Sequence, residues 1–121
     1  MRNYQKLEAW KAAMQLIKNV YELTRNYPKE ELFGLTSQTK RAAVSIAANI
    51  AEGMGRQYKK DTIQLLHISK GLVYELETLL NIADMVQIIE EAKFKKLIPF
   101  IDNTIKLLNG FIKYMVSADL K

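Results

Sequence analysis

Large apolar side chains recur along this chain at steps of three and four residues. In the first segment Leu7, Trp10, Met14, Ile17, Tyr21 and Thr24 form one stripe, and Ala13, Leu16, Val20, Leu23 and Tyr27 form a second beside it. Adjoining stripes of this kind make the broad face of a helix turned toward a core. Pro28 disfavours helical backbone at Tyr27, so the pattern predicts a helix over roughly 4–27. The stretch PKEELFGL then reads as a connector. In it Leu32, Phe33 and Leu35 are expected to plug the bundle end and Gly34 to supply the turn, with Thr36 or Ser37 capping the next helix.

A second helix is predicted over roughly 37–54, ended by the Gly53 and Gly55 signals. A third, over roughly 61–86, has Asp61 as an N-cap or first-turn acid and a seam of Leu65, Ser69, Leu72, Leu76, Leu79 and Ala83. Gly71 lies inside it at a cost of about 1 kcal/mol against alanine, which predicts a close backbone approach there. A fourth, over roughly 91–117, carries Phe94, Ile98, Ile101, Ile105, Leu108, Ile112 and Met115, and Pro99 predicts a kink or a late start. No strand alternation, internal repeat or low-complexity tract competes. Short connectors favour antiparallel neighbours. The expected fold is therefore all-α, one domain over residues 1–121 forming an antiparallel up-down-up-down four-helix bundle.

The second helix carries a polar row. Gln38, Arg41, Ser45, Asn49 and Glu52 follow one another at steps of three and four, flanked by Ala42, Ala43, Ala47, Ala48 and Ala51. One reading is a wet face. The other is a tight helix–helix contact, because Ser and Asn are short, indifferent helix formers and alanines let another backbone come close. On that reading Ser69 and Gly71 supply the matching small positions. Arg41 then pairs with an acid of the third helix such as Glu75 or Glu77, fixing register more than adding stability.

Composition narrows the chemistry. Hydrophobic residues make up 49 % of the 121 residues, enough for one core, and cysteine is absent. There is thus no disulfide framework or thiolate site, and a reducing compartment fits. The N-terminal stretch lacks the apolar region of a signal peptide, and no apolar run is long enough for a membrane span. A soluble cytoplasmic protein with no membrane partner is expected. His67 is the only histidine, and Gln64 stands where a Glu-x-x-His metal pair would need an acid. The glycines of EGMG fit no phosphate-binding loop. Neither a catalytic constellation nor a metal or cofactor set is legible, so no enzyme is predicted.

The net charge is +5 and unevenly spread. Residues 61–90 hold one basic residue against five acids, whereas residues 1–30, 31–60 and 91–121 hold six against three, five against two and six against three. An up-down topology gathers three basic segments at one end: Arg2, Tyr4 and Lys6; Arg56, Tyr58, Lys59 and Lys60; and Lys113, Tyr114 and Lys121. Asp61 and Asp119 dilute the cluster. Cations interleaved with tyrosine suit phosphate contact and base stacking on single-stranded or looped RNA. Wet loops and termini are also charged without any partner, and that alternative stays open.

Four stretches, LEAW, YPKEELFGLTSQ, RAAVSIAANIAEG and KGLVYELETLL, together resemble the four-helix bundle proteins named after the 23S rRNA intervening sequence. The resemblance covers nearly the whole chain. Its most specific part is Ser45, Ile46, Asn49, Ile50, Ala51, Glu52 and Gly53, and it makes Gly53 the sharp exit into the basic loop. A Gly-Ser-x-x-Glu pattern of the family becomes Gly71, Leu72 and Glu75 here, and Pro99 departs from the family's last helix. The resemblance implies a small non-enzymatic bundle that assembles with itself into a ring-like homo-oligomer, a pentamer, without a cofactor. The family's genes occur in insertions within ribosomal RNA genes, which implies RNA as a partner. Two other functions compete: a protein-interaction scaffold that binds no nucleic acid, and a ligand carrier or enzyme using Arg41, Asn49 and Glu52.

Overall fold

A computed structural model describes residues 1–118. A 3-10 turn over Asn3–Lys6 precedes α1 (Glu8–Thr24), and a second 3-10 turn, Lys29–Glu31, leads into α2 (Leu35–Met54). Then follow α3 (Lys59–Met85) and α4 (Glu91–Ala118). The fold is an all-α four-helix bundle, and its topology can be read from paired residues. Ser69 Oγ donates to the Ile46 carbonyl and Thr62 Oγ1 to the Gly53 carbonyl, each at 2.7 Å. Residue number therefore rises along α3 as it falls along α2. The Lys40 ammonium lies 4.9 Å from the Tyr21 ring centre, while Tyr4 shares a cleft with Met54, so α1 and α2 are also opposed. Asn19 and Glu22 face Lys93 and Lys96, whereas Leu7 faces Phe111, so α4 returns alongside α1. The order is up-down-up-down.

The four inner faces meet in one core whose fully buried large side chains include Leu16, Val20, Ile46, Ile50, Leu66, Val73, Leu76, Leu80, Ile101 and Leu108. On α3 the buried line is Thr62, Leu66, Ser69, Val73, Leu76, Leu80 and Ala83, with Leu79 at its margin, while Leu65 and Leu72 of the expected seam are half-buried. The helix packs against both α2 and α4, so its buried arc is wider than a two-helix seam and centred one position on.

Several local expectations are corrected. The first helix does not start at residue 4: Leu7 is extended (φ −71°, ψ 131°), and Tyr4 instead turns its ring edge-on to Trp10, with centroids 5.4 Å apart. Neither Thr36 nor Ser37 caps α2, which begins at Leu35 and takes a cap from Glu31 Oε1, an acceptor for the Leu35 N–H at 3.3 Å. Leu35 packs on the core, but Leu32 and Phe33 do not plug the bundle end and stand 51 % and 93 % exposed. Helix α4 does not start late, since it is helical on both sides of Pro99. Pro99 and Lys95 are both on the wet side, where water can solvate the carbonyl that the proline leaves unpaired. The close approach expected at Gly71 is absent, since a Cβ there would meet nothing within 4 Å. It occurs at Gly53, where a Cβ would lie 3.3 Å from the Leu65 Cβ and 3.4 Å from the Thr62 carbonyl. Gly53 is thus a packing residue inside α2, and Gly55 follows the helix end.

Tyr27 is buried with its hydroxyl unpartnered among the described residues, and burial pushes the phenol from 10.0 up to about 12. The unfolded chain releases this proton near pH 10 and the folded chain holds it, so the residue's stabilising contribution is whole below pH 10 and is lost as pH rises toward 12. Tyr27→Phe is expected to match or slightly exceed wild type at pH 8, since the native hydroxyl has no partner to give up. It should then hold its urea midpoint better than wild type as pH climbs from 10 to 12. Parallel midpoints at every pH would contradict this.

Candidate nucleic-acid interface

The topology sets the start of α1, the α2–α3 loop and the end of α4 at one pole. Arg2, Asn3 and Tyr4 line a cleft with Ala51, Met54 and Gly55, and Lys6 lines a groove with Lys106 and Tyr114. Segments 1–8, 52–63 and 106–118 together hold seven Lys or Arg against three acids, Glu8, Glu52 and Asp61. The opposite pole, segments 25–37 and 84–96, is balanced at five against five. The fold is therefore electrically lopsided along its length.

Arg2, Lys6, Arg56, Tyr58, Lys59, Lys60 and Lys113 are all exposed, as is Tyr114. Asp119 and Lys121 lie outside the described residues. Arg56 is not a bare cation: its guanidinium pairs with Glu52, one turn earlier, in a half-exposed ion pair. Such a pair is weak and screened by salt, so an incoming phosphate can compete for Arg56. Sequence reasoning missed Lys106. The signal was there, because it stands seven residues before Lys113 and so on the same helix face.

The polar row of α2 divides differently. Gln38 and Arg41 are exposed, and Ser45 and Asn49 are half-buried. Asn49 Nδ2 donates to the Ser45 carbonyl at 2.8 Å, and Glu52 bonds Arg56, so these contacts stay within α2 and its exit loop. Gln38, Arg41, Ala42 and Ser45 do line a groove of about 410 Å³ with Leu72, Glu75 and Leu79. Among the described residues, however, no ion pair joins Arg41 to Glu75 or Glu77, which corrects the expected pairing. Arg41 and Glu75 are exposed, and each gains little by giving up its water for the other. The hydrogen bonds that do join α2 to α3 fall on Ile46 and Gly53, one residue and about 100° round the helix from Ser45 and Glu52. Their donors are Ser69, expected only as a small position, and Thr62, which sequence reasoning missed.

Chemically, the pole offers cations and two exposed tyrosine rings on a rigid frame. His67 is exposed on α3, and no cluster of three His, Cys, Asp or Glu among the described residues could hold a metal ion. No helix among the described residues is long and apolar enough to cross a membrane.

Comparison with known proteins agrees with this fold. A family model described as 23S rRNA-intervening sequence protein matches residues 5–110. Among solved structures, the chain is similar to a crystal structure of a protein with unknown function from the S23 ribosomal protein family of Bacteroides thetaiotaomicron VPI-5482. The TM-score is 0.79 at 24 % identity, covering 87 % of this chain and 95 % of that one, so the likeness is one of fold. No curated protein matches.

Proposed function

The chain belongs to the 23S rRNA-intervening sequence protein family, and from that premise we propose that it is a non-enzymatic, cytoplasmic bundle that assembles with itself into a pentameric ring and binds RNA at its basic pole. The supporting observation is the lopsided charge, seven cations against three acids at one end. Exposed Tyr58 and Tyr114 add rings on which unpaired bases can stack. A ring repeats this surface in every subunit, so a weak single site gains affinity by multivalency.

Fluorescence anisotropy with a labelled, partly single-stranded RNA tests the proposal. Binding is expected to fall steeply with salt. Replacing Arg2, Lys60 and Lys113 with alanine should weaken it at least tenfold and reduce the log–log salt slope by roughly 0.7 for each phosphate that is no longer neutralised. Alanines at Lys93, Lys95 and Lys96, on the balanced pole, should change it far less. Salt-independent binding, or equal weakening from both poles, would overturn the RNA reading in favour of a protein-interaction scaffold.

A further inference from the structure

Phe33 is 93 % exposed, the most exposed large hydrophobic side chain among the described residues, and half-exposed Leu32 precedes it. Among the described residues little covers Phe33, which with Leu32 crowns the connector between α1 and α2. Glu30 and Glu31 stand just before it; one Glu31 oxygen already accepts the Leu35 N–H, and Glu30 is exposed. The connector's two cations, Arg25 and Lys29, both precede the glutamates.

A socket with matching properties lies near the other end. Between the start of α1 and the end of α4 runs a carbon-lined groove of about 530 Å³, floored by Leu7, Leu107, Gly110 and Phe111 and rimmed by Lys6 and Lys106. Its one acid, Glu8, is paired with Lys11 at 3.6 Å. The volume falls within the roughly 300–1,000 Å³ of pockets that take drug-sized ligands, ample for a phenylalanine side chain. Gly110 keeps the floor open, yet a Cβ there would meet nothing within 4 Å of its own subunit. A glycine inside a helix is costly against alanine, and this one relieves no contact within the chain.

We propose that Phe33 and Leu32 of one copy dock into the α1–α4 groove of a second copy, with Glu30 and Glu31 beside the partner's Lys6 and Lys106. This rests on the self-assembly reading above and names its surface, which takes Lys6, Lys106 and Tyr114 into the subunit contact and leaves Arg2, Tyr58, Lys60 and Lys113 to RNA. Knob and socket lie toward opposite ends of one subunit, so they meet only between subunits. The contact is head-to-tail, the class that closes into a ring when the rotation between copies permits. Apolar fit supplies the contact and the glutamate–lysine match selects its direction.

Light scattering after gel filtration, with circular dichroism to confirm folding, tests it on the full chain. Wild type is expected at a multi-subunit mass. Phe33→Glu, which spoils the knob, and Gly110→Trp, which fills the socket, should each fall to the monomer mass with helicity intact. An equimolar mixture of the two variants should give a heterodimer, because the first retains a socket and the second a knob. Lys106→Glu should weaken assembly at least tenfold, and Glu30→Lys in the same chain should recover it. Variants that keep the wild-type mass would overturn this surface and leave self-assembly standing. A monomeric wild type would overturn both. Two monomeric variants that fail to pair would overturn the head-to-tail arrangement.

Discussion

A leucine at position 53 is expected to destabilise the fold by about 2–3 kcal/mol, whereas a leucine at position 71 should stabilise it by up to about 1 kcal/mol. Both glycines lie in helices, Gly53 in the last turn of α2 and Gly71 in the middle of α3, so a leucine gains helix propensity at each. What differs is the space around them. At Gly53 a first side-chain carbon already touches the Leu65 Cβ and the Thr62 carbonyl, and the remaining leucine atoms would force α2 and α3 apart. That separation also pulls Thr62 Oγ1 from the Gly53 carbonyl, a hydrogen bond worth about 1 kcal/mol. At Gly71 the added side chain meets open space. Thermal unfolding at fixed protein concentration should show midpoints moving in opposite directions, by roughly 3–6 °C per kcal/mol for a chain of this size. Equal shifts would contradict the placement of the close contact.

Ile46→Ala is expected to cost about 2–5 kcal/mol, the range for deleting a large aliphatic side chain from a packed core. Ile46 is fully buried, and its carbonyl, which survives the substitution, accepts the Ser69 hydroxyl. The destabilisation thus reports transfer and cavity effects, less the small gain in helix propensity that alanine brings. Val44→Ala, two residues away and 43 % exposed in the native chain, should change stability by no more than about 0.5 kcal/mol. Ser69→Ala lies between them at about 1 kcal/mol, because the Ile46 carbonyl keeps its own helical partner. Denaturant midpoints at unchanged slope would measure all three. A costly Val44→Ala beside a harmless Ile46→Ala would mean that α2 is rotated in the bundle.

The helices were legible because their apolar stripes are long and their ends carry proline and glycine. Leu16, Val20, Leu76 and Leu108 could be assigned to the core from period alone. What the sequence hid was rotation and partnership. Between Ala42 and Gly53 most positions of α2 are small or short, so alanine period alone does not separate the face at Ile46 and Gly53 from the face at Ser45 and Glu52. The difference rests on Thr62 and Ser69, whose hydroxyls act across a helix pair and leave no mark on local spacing. Gly53 and Gly71 look alike in sequence and differ only in what a neighbouring helix brings near them. The basic pole was legible through topology, since chain reversal alone gathers its segments. The socket at Gly110 was not, because a groove belongs to two helices far apart in sequence.

These placements share one premise: α2 and α3 lie antiparallel in a fixed register, which orients the rest of the bundle and sets the basic segments at one end. Through-space proton contacts measured by NMR on the isotope-labelled chain test that register most directly. Cross-peaks are expected between Gly53 α-protons and both Thr62 and Leu65, and between Ser69 β-protons and Ile46. If Ser69 and Thr62 show contacts to Ser45, Asn49 or Glu52 in their place, the register is wrong and the placements built on it fall.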